Sequence, residues 1–306
     1  MEILDLDSAK KERTVIVLGA FDGLHIGHVS LLEQGRTLAK KKRAKLAIMT
    51  FAKHPSAVLK KRSVKLLTPG QEKLDILADL GVEVVFLPDF TKIARFSPMD
   101  FFYDILLGKF GAVGLVAGPN FRFGKGAKGD SNLLEYLGRK SQVPVRIGKA
   151  VTYRNGTVSS TMIRRLLREG RVEVANRLLG RPFRLTGEVV RGEGRGRKLK
   201  MPTANIQLPE AKFLPACGVY LVRAFAENKS YYGLLSISDK PTFHESADIA
   251  VEVYLFDTDD DLYGKTLSIE IIRYQRGIVK YESAKELMDQ VSRDIQEARG
   301  YLAHYL

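Results

Sequence analysis

Gly19-Ala20-Phe21-Asp22-Gly23-Leu24-His25-Ile26-Gly27-His28 is the stretch on which the reading of the fold turns. Just before it, Thr14-Val15-Ile16-Val17-Leu18 is a nearly continuous apolar run with β-branched residues, the pattern of a strand buried in a parallel sheet. Just after it, Leu31, Leu32, Gly35 and Leu38 recur at helical spacing. The motif is therefore a strand-to-helix turn. Its glycines let the backbone bend sharply and approach a ligand, while the free amides and positive end of the helix favour an anion. His25 and His28 face the same side of the first helical turn, which suits a bound phosphate chain. Two other readings stand beside this one: a purely structural glycine-rich turn, and a His-x-x-His metal pair. The metal pair lacks an obvious third ligand, because the other histidines are His54, His244 and His304 and the only cysteine is Cys217.

The 306-residue length suggests two domains, each able to build its own core. A hydrophobic content of 45% and a charged content of 27% describe an ordinary globular chain and give no sign of disorder. A single cysteine excludes an internal disulfide framework. The acidic opening Met1-Glu2-Ile3-Leu4-Asp5-Leu6-Asp7 lacks the basic start of a signal peptide, and no apolar run approaches the ~18 residues of a membrane span. The expectation is a cytoplasmic protein with no membrane partner; no feature sets an oligomeric state. The formal charge of +14 implies affinity for polyanions. Nucleotides fit it, and nucleic acid is the secondary reading, since no aromatic-interleaved basic module is present. The run Lys40-Lys41-Lys42-Arg43-Ala44-Lys45 reads as the solvated, cation-favouring end of the first helix.

Strands and helices alternate through the first half. Leu46-Ala47-Ile48-Met49-Thr50-Phe51 is a second strand, ended at Ala52-Lys53-His54-Pro55, where proline forces a loop. A helix opens at Pro69, carries Leu74, Ile76, Leu77 and Leu80, and stops at Gly81. Strands follow at residues 82–87, 113–117 and 143–147, with a helix over 98–107. This order predicts a doubly wound parallel sheet, with ligands beyond the carboxyl ends of its strands. There, residues 118–130 form a glycine-rich basic loop that either cradles phosphate or is a surface hairpin. Val158-Ser159-Ser160-Thr161 reads as a hydroxyl-rich cap on a basic helix, where Arg164 is placed to neutralise a polyphosphate.

The texture changes after Pro182. Short alternating strands at residues 184–191, 218–225, 230–237, 250–256 and 266–274 predict a small antiparallel β-barrel, and an amphipathic helix over 283–305 packs on it. Domains are expected at 1–182 and 183–306. Residues 191–205 are a flexible basic loop running into Thr203 and Asn205, whose oxygens suit a hydrated magnesium ion, or an ordinary hairpin and turn. Glu252, between Val251 and Val253 in a strand, faces either solvent or the barrel mouth.

The set resembles the bacterial bifunctional riboflavin kinase/FAD synthetase family, part of the wider HxGH nucleotidyltransferase group. Residues 19–28 resemble its G-x-F-D-G-x-H-x-G-H signature, followed in family order by Thr50-Phe51-Ala52-Lys53-His54-Pro55, Asn120-Phe121-Arg122-Phe123-Gly124 and Ser159-Ser160-Thr161-Met162-Ile163-Arg164. Pro202-Thr203-Ala204-Asn205, Gly218-Val219-Tyr220, Pro241-Thr242-Phe243, and Glu252 with Asp261-Leu262-Tyr263-Gly264 resemble its riboflavin kinase module.

The resemblance implies a Rossmann-like N-terminal domain that transfers AMP from ATP to FMN, giving FAD and pyrophosphate, and a barrel that makes FMN from riboflavin and ATP. It implies that His25, His28 and Arg164 act on the phosphates, and that Gly19, Phe21, Asp22, Gly23, Gly27, Asn120, Ser160 and Thr161 hold ATP. It further implies His54, Pro55 and Phe123 on flavin, Gly196, Arg197 and Thr203 on the second ATP, Thr203 and Asn205 on Mg2+, and Glu252 as general base. Three places depart from the family pattern: Leu199-Lys200-Met201, Ser236-Ile237-Ser238, and the segment after Arg276 through Ile278 to Tyr281. They motivate a narrower alternative, adenylylation alone beside a degraded kinase. The charge motivates another, a nucleic-acid-binding or flavin-sensing regulator on the same fold.

Overall fold

The computed structural model describes residues 1–9, 11–52, 64–191, 202–239 and 249–305, and its internal contacts divide the chain into units Met1–Met162 and Ile163–Leu306. The first unit is built on strands β1 (Glu2–Leu4), β2 (Thr14–Leu18), β3 (Lys45–Met49), β4 (Val84–Phe86), β5 (Ala112–Ala117) and β8 (Val145–Ile147). They form one parallel sheet in the order β1-β4-β3-β2-β5-β8. Both faces of it are covered, which is why its strands are apolar at successive positions instead of alternate ones. Val15, Val17, Leu46 and Ile48 pack with α1 (Ile26–Lys42) and α2 (Gln71–Asp79) through Leu31, Leu32, Ile76 and Leu77. Ile16, Leu18, Ala47 and Leu115 pack on the other face with α3 (Phe101–Lys109) and α4 (Ser131–Lys140).

The sequence of connections fixes where a ligand can enter. From β2 the chain turns through α1 to β3 on one side, whereas β5 lies on the other side of β2. The crevice at the carboxyl ends of β2 and β5 is therefore the switch point of the sheet. Residues 19–28 leave β2 there. Residues 118–130, read either as a phosphate loop or a hairpin, contain a short antiparallel pair, β6 (Arg122–Phe123) with β7 (Gly129–Asp130). Asp130 then caps α4, accepting the Leu133 amide at 2.9 Å. A further small pair, β9 (Thr152–Tyr153) with β10 (Gly156–Thr157), leads to helix α5 (Ser160–Arg168).

One expected element changes and one strand is new. The helix expected over 98–107 continues to Lys109 and is π-helical from Phe101, bringing Phe110 under β4, where its ring stacks on Phe86 at 4.0 Å. β1 was not expected at all: its three residues are too short for a periodic signal, and it is held as a strand by parallel pairing with β4.

In the second unit, α6 (Val172–Leu179) precedes β11 (Phe183–Val190), β12 (Ala204–Gln207), β13 (Gly218–Ala226), β14 (Lys229–Asp239), β15 (Ile249–Leu255) and β16 (Thr266–Arg276). These close into an antiparallel barrel in the order β11-β12-β15-β14-β13-β16. Asn176 joins α6 to it, donating to the Ile271 carbonyl at 2.9 Å and accepting the Phe183 amide at 2.8 Å. Helix α7 (Ala284–Tyr305) lays Ile295, Ala298 and Leu302 on an outer face made by Val219, Leu221, Leu234 and Tyr254. Alternation then sends Tyr220, Leu235 and Val253, all essentially buried, to the barrel interior. No helix among the described residues is long and apolar enough to cross a membrane.

Arg276 at the end of β16 donates from Nε and Nη2 to the buried Asp294 of α7 at 2.9 and 2.7 Å. Arg299 and Asp257 make an equally short bond, 2.6 Å, with 52% and 72% of their side chains exposed. Burial decides which pair matters, because removing one partner strands a charge only where water is excluded. Asp294→Ala is expected to destabilise the protein by about 2–3 kcal/mol and Asp257→Ala by less than about 1 kcal/mol in urea titrations. Equal losses would refute this ranking.

Candidate active site

The turn after β2 is strained and braced. Phe21 and Leu24 hold φ of 51° and 42°, a region that costs a non-glycine residue about 1–3 kcal/mol. Both side chains are fully buried in the core beneath α1, and burial of an apolar side chain contributes about 1.5–3 kcal/mol, enough to offset that strain. Between them Asp22 is 2% exposed, and its Oδ1 accepts the amides of Leu67 (2.9 Å) and Thr68 (3.2 Å). The Gly23 amide donates to Thr68 Oγ1 at 2.9 Å, and the Ser160 hydroxyl donates to the Asp22 carbonyl at 2.8 Å.

His25 is the residue before α1, in extended conformation, and its carbonyl accepts the amides of His28 (2.7 Å) and Val29 (3.0 Å). Its ring stacks on that of His28 with centroids 3.7 Å apart and planes inclined by 19°. The Phe21 ring supports His28 from the side at 5.1 Å. A Cβ on Gly27 would stand 3.1 Å from the His25 ring, so a glycine there lets the imidazole lie over the helix start. Gly19, at the head of the turn, bonds its amide to the Met49 carbonyl at 3.2 Å. Two adjacent imidazoles at the N-terminus of a long helix, in the switch-point crevice, are an arrangement whose chemistry suits phosphate oxygens. Among the described residues no third His, Cys, Asp or Glu joins them in a metal-binding group.

Asn120 is exposed, three residues beyond β5, beside the same crevice. Phe123 on β6 is 5% exposed, in ring contact with Phe101 (5.6 Å) and Phe121 (5.8 Å). The helix expected from Met162 begins instead at Ser160, with the Met162 amide donating to Ser159 Oγ at 3.2 Å. Thr161 is exposed in its first turn, and Arg164, half-buried, follows Ser160 by one turn. His54, Pro55, Gly196, Arg197 and Lys200 lie outside the described residues, as does the Pro241-Thr242-Phe243 motif.

In the barrel, Asn205 of β12 pairs with Glu252 of β15, which pairs with Ser236 of β14. Cross-strand partners share a face, so these three side chains form one row of oxygen donors. Tyr254, two residues after Glu252, packs under α7, so the row lies on the outer face of the barrel wall. This resolves the direction of Glu252, which is half-buried beside buried Val251 and Val253. Thr203 directly precedes β12 and is half-buried. The Gly264 amide donates to the Val189 carbonyl at 2.9 Å, and Tyr263 lies 5.8 Å under the Arg191 guanidinium. The 261–264 motif thus lies against the end of β11.

Sequence models of two families match this chain, FAD synthetase over residues 7–162 and riboflavin kinase over 179–302. A bifunctional riboflavin kinase/FMN adenylyltransferase from Bacillus subtilis is 35% identical over 302 residues, covering 96% of this chain and 94% of the relative. The chain belongs to the bifunctional riboflavin kinase/FMN adenylyltransferase family. A similarly named relative from Listeria monocytogenes is 34% identical, covering 94% of this chain and 92% of its own. A crystal structure described as a macrolide-efflux protein from Streptococcus pneumoniae superposes with a TM-score of 0.88 at 28% identity, covering 98% of this chain and 99% of that one.

For a member of this family, the sequence reading missed the residues that hold the motif. Thr68, which receives Gly23, sits in a stretch with no periodic signal, and β12 reads as a loop because Ala204-Asn205-Ile206-Gln207 is short and polar. The Ser160 bond allows a direct check. Ser160→Ala is expected to lower stability by about 1 kcal/mol, and Thr161→Ala, exposed one residue on, to be close to neutral. Denaturant titration of the two variants compares them, and equal cost would remove the significance given to this tie.

Proposed function

We propose that the chain builds FAD in two ATP-dependent steps, one in each half. It is an enzyme of flavin-cofactor biosynthesis, with riboflavin, FMN, FAD and ATP as its substrates or products. We keep the division of activities at 1–182 and 183–306; β11 begins at Phe183, which supports it. The observation that carries the reading is the stacked His25–His28 pair over the N-terminus of α1, in the crevice between β2 and β5.

In the adenylyl transfer, an FMN phosphate oxygen attacks the α-phosphorus of ATP, and the bond to the bridging oxygen breaks to release pyrophosphate. His25, His28 and Arg164 stabilise charge on the phosphates, with Asn120, Ser160 and Thr161 holding the nucleotide beside Gly19, Gly23 and Gly27. Asp22 and Phe21 contribute through the loop they brace. The work is positioning and electrostatic stabilisation, without a covalent enzyme intermediate. His54, Pro55 and Phe123 are assigned to the flavin side.

In the kinase half, Glu252 takes the proton of the ribityl hydroxyl as it attacks the γ-phosphorus of ATP and ADP leaves. Gly196 and Arg197 are assigned to this ATP. The donor set around Glu252 is all oxygen, so Thr203 and Asn205 suit Mg2+, which when bound neutralises phosphate charge. ATP as substrate and the lone Cys217 support a cytoplasmic setting. A match to the riboflavin kinase model over 179–302 disfavours both the adenylylation-only and the regulator readings.

The test is incubation of the pure chain with riboflavin, ATP and Mg2+, with products resolved by chromatography. Both FMN and FAD are expected, and no FAD even when FMN is supplied would refute the reading. Replacing both histidines, His25→Ala with His28→Ala, is expected to slow FAD formation from FMN by roughly 10²–10³-fold and leave FMN formation intact. Glu252→Gln should do the reverse, slowing FMN formation by roughly 10²–10⁴-fold. A variant that loses both activities equally would contradict the division of labour.

A further inference from the structure

Lys73 stands in the first turn of α2 and is 6% exposed. Its Nζ donates to the Ala20 carbonyl (3.2 Å), the Phe51 carbonyl (3.2 Å) and Thr50 Oγ1 (3.4 Å). An ammonium has three protons, and here each has an oxygen. The Thr50 hydroxyl itself donates to the Ala20 carbonyl at 2.8 Å, so the four groups form a closed set. Ala20 belongs to the motif loop leaving β2, whereas Thr50 and Phe51 leave the neighbouring strand β3, four and three residues ahead of His54. One side chain therefore ties together the exits of two adjacent strands.

The location is an expensive one for a cation. Burial disfavours the charged form and pushes the Lys73 ammonium down from its usual pKa, with the Asp22 carboxylate pulling the other way. The first turn of a helix is also where the macrodipole opposes positive charge. Its helix neighbours Ile76 and Leu77 are buried and apolar, and a methionine would fill the same volume without the electrostatic cost. What methionine cannot do is hold three oxygens from two loops at fixed separations.

We propose that Lys73 is a positioning residue for adenylyl transfer, setting the loop that bears His25 and His28 relative to Thr50 and Phe51 at the exit of β3. The inference rests on the adenylyl-transfer reading above. Lys73 touches neither imidazole; it acts through the backbone at Ala20 and Phe51. Misalignment of two bound reactants by an ångström costs roughly 10²-fold in rate, while each reactant still binds its own loop. The signature is thus a loss in kcat with KM preserved.

The experiment uses the full chain and measures FAD formation from FMN and ATP, and FMN formation from riboflavin and ATP, in Lys73→Met and Lys73→Gln. Lys73→Met keeps the volume and removes every donor; its kcat for FAD formation is expected to fall about 10–100-fold, with KM for ATP and FMN within threefold and the kinase rate within twofold. Lys73→Gln, which restores part of the donor set, should fall between Met and wild type. Wild-type kcat in Lys73→Met, a loss confined to KM, or an equal fall of both activities in both variants would each overturn the proposal, the last by showing a role in folding alone. A wild-type chain that makes no FAD would instead remove the underlying reading.

Discussion

The shape of the backbone between β2 and α1 depends first on the anchoring of Asp22. Its carboxylate takes two amides from residues 67 and 68, and its carbonyl takes the Ser160 hydroxyl, so one buried residue links three stretches distant in sequence. A carboxylate accepting backbone amides contributes about 1.5–3 kcal/mol per bond, the same order as the strain at Phe21 and Leu24 that it sits between. Without it the glycines would leave the loop too many alternatives. The stacked imidazoles inherit their geometry from this brace, since His25 follows it by three residues and starts the helix.

The two halves offer candidate sites of different construction. In the parallel sheet, the topology supplies a crevice, and a helix N-terminus supplies aligned amides. In the barrel, strand register brings the oxygens of the Asn205–Glu252–Ser236 row together. The net charge of +14 then serves both halves at long range by favouring anionic substrates.

Much of this was legible in the chain. The apolar run at residues 14–18, the His25–His28 spacing and the change of period after Pro182 carry the doubly wound sheet, the imidazole pair and the barrel with its terminal helix. What escaped depends on partners remote in sequence. β1 and β12 are strands only because β4, β11 and β15 pair with them. The resemblance places Asp22 among the residues that hold ATP, but its hold on the amides of residues 67 and 68 depends on a stretch 45 residues away that carries no signal of it. Lys73 falls in a helix where apolar periodicity draws the eye to Leu74, Ile76 and Leu77, and nothing in that period says that a lysine turns inward.

β12 also bears on how the barrel breathes. It joins β11 over residues 205–207 and β15 over 204–205 only, whereas β13 pairs with β14 along its full length. Local opening follows the least cooperative seam of a structure. That seam carries Asn205, so a nucleotide gripping this residue would bind the closed form and not the open one, and would suppress the opening by mass action. The barrel wall would then be partly a product of its cargo, firmer when loaded than when empty, and occupancy at Asn205 would be written in the exchange of the β12 amides.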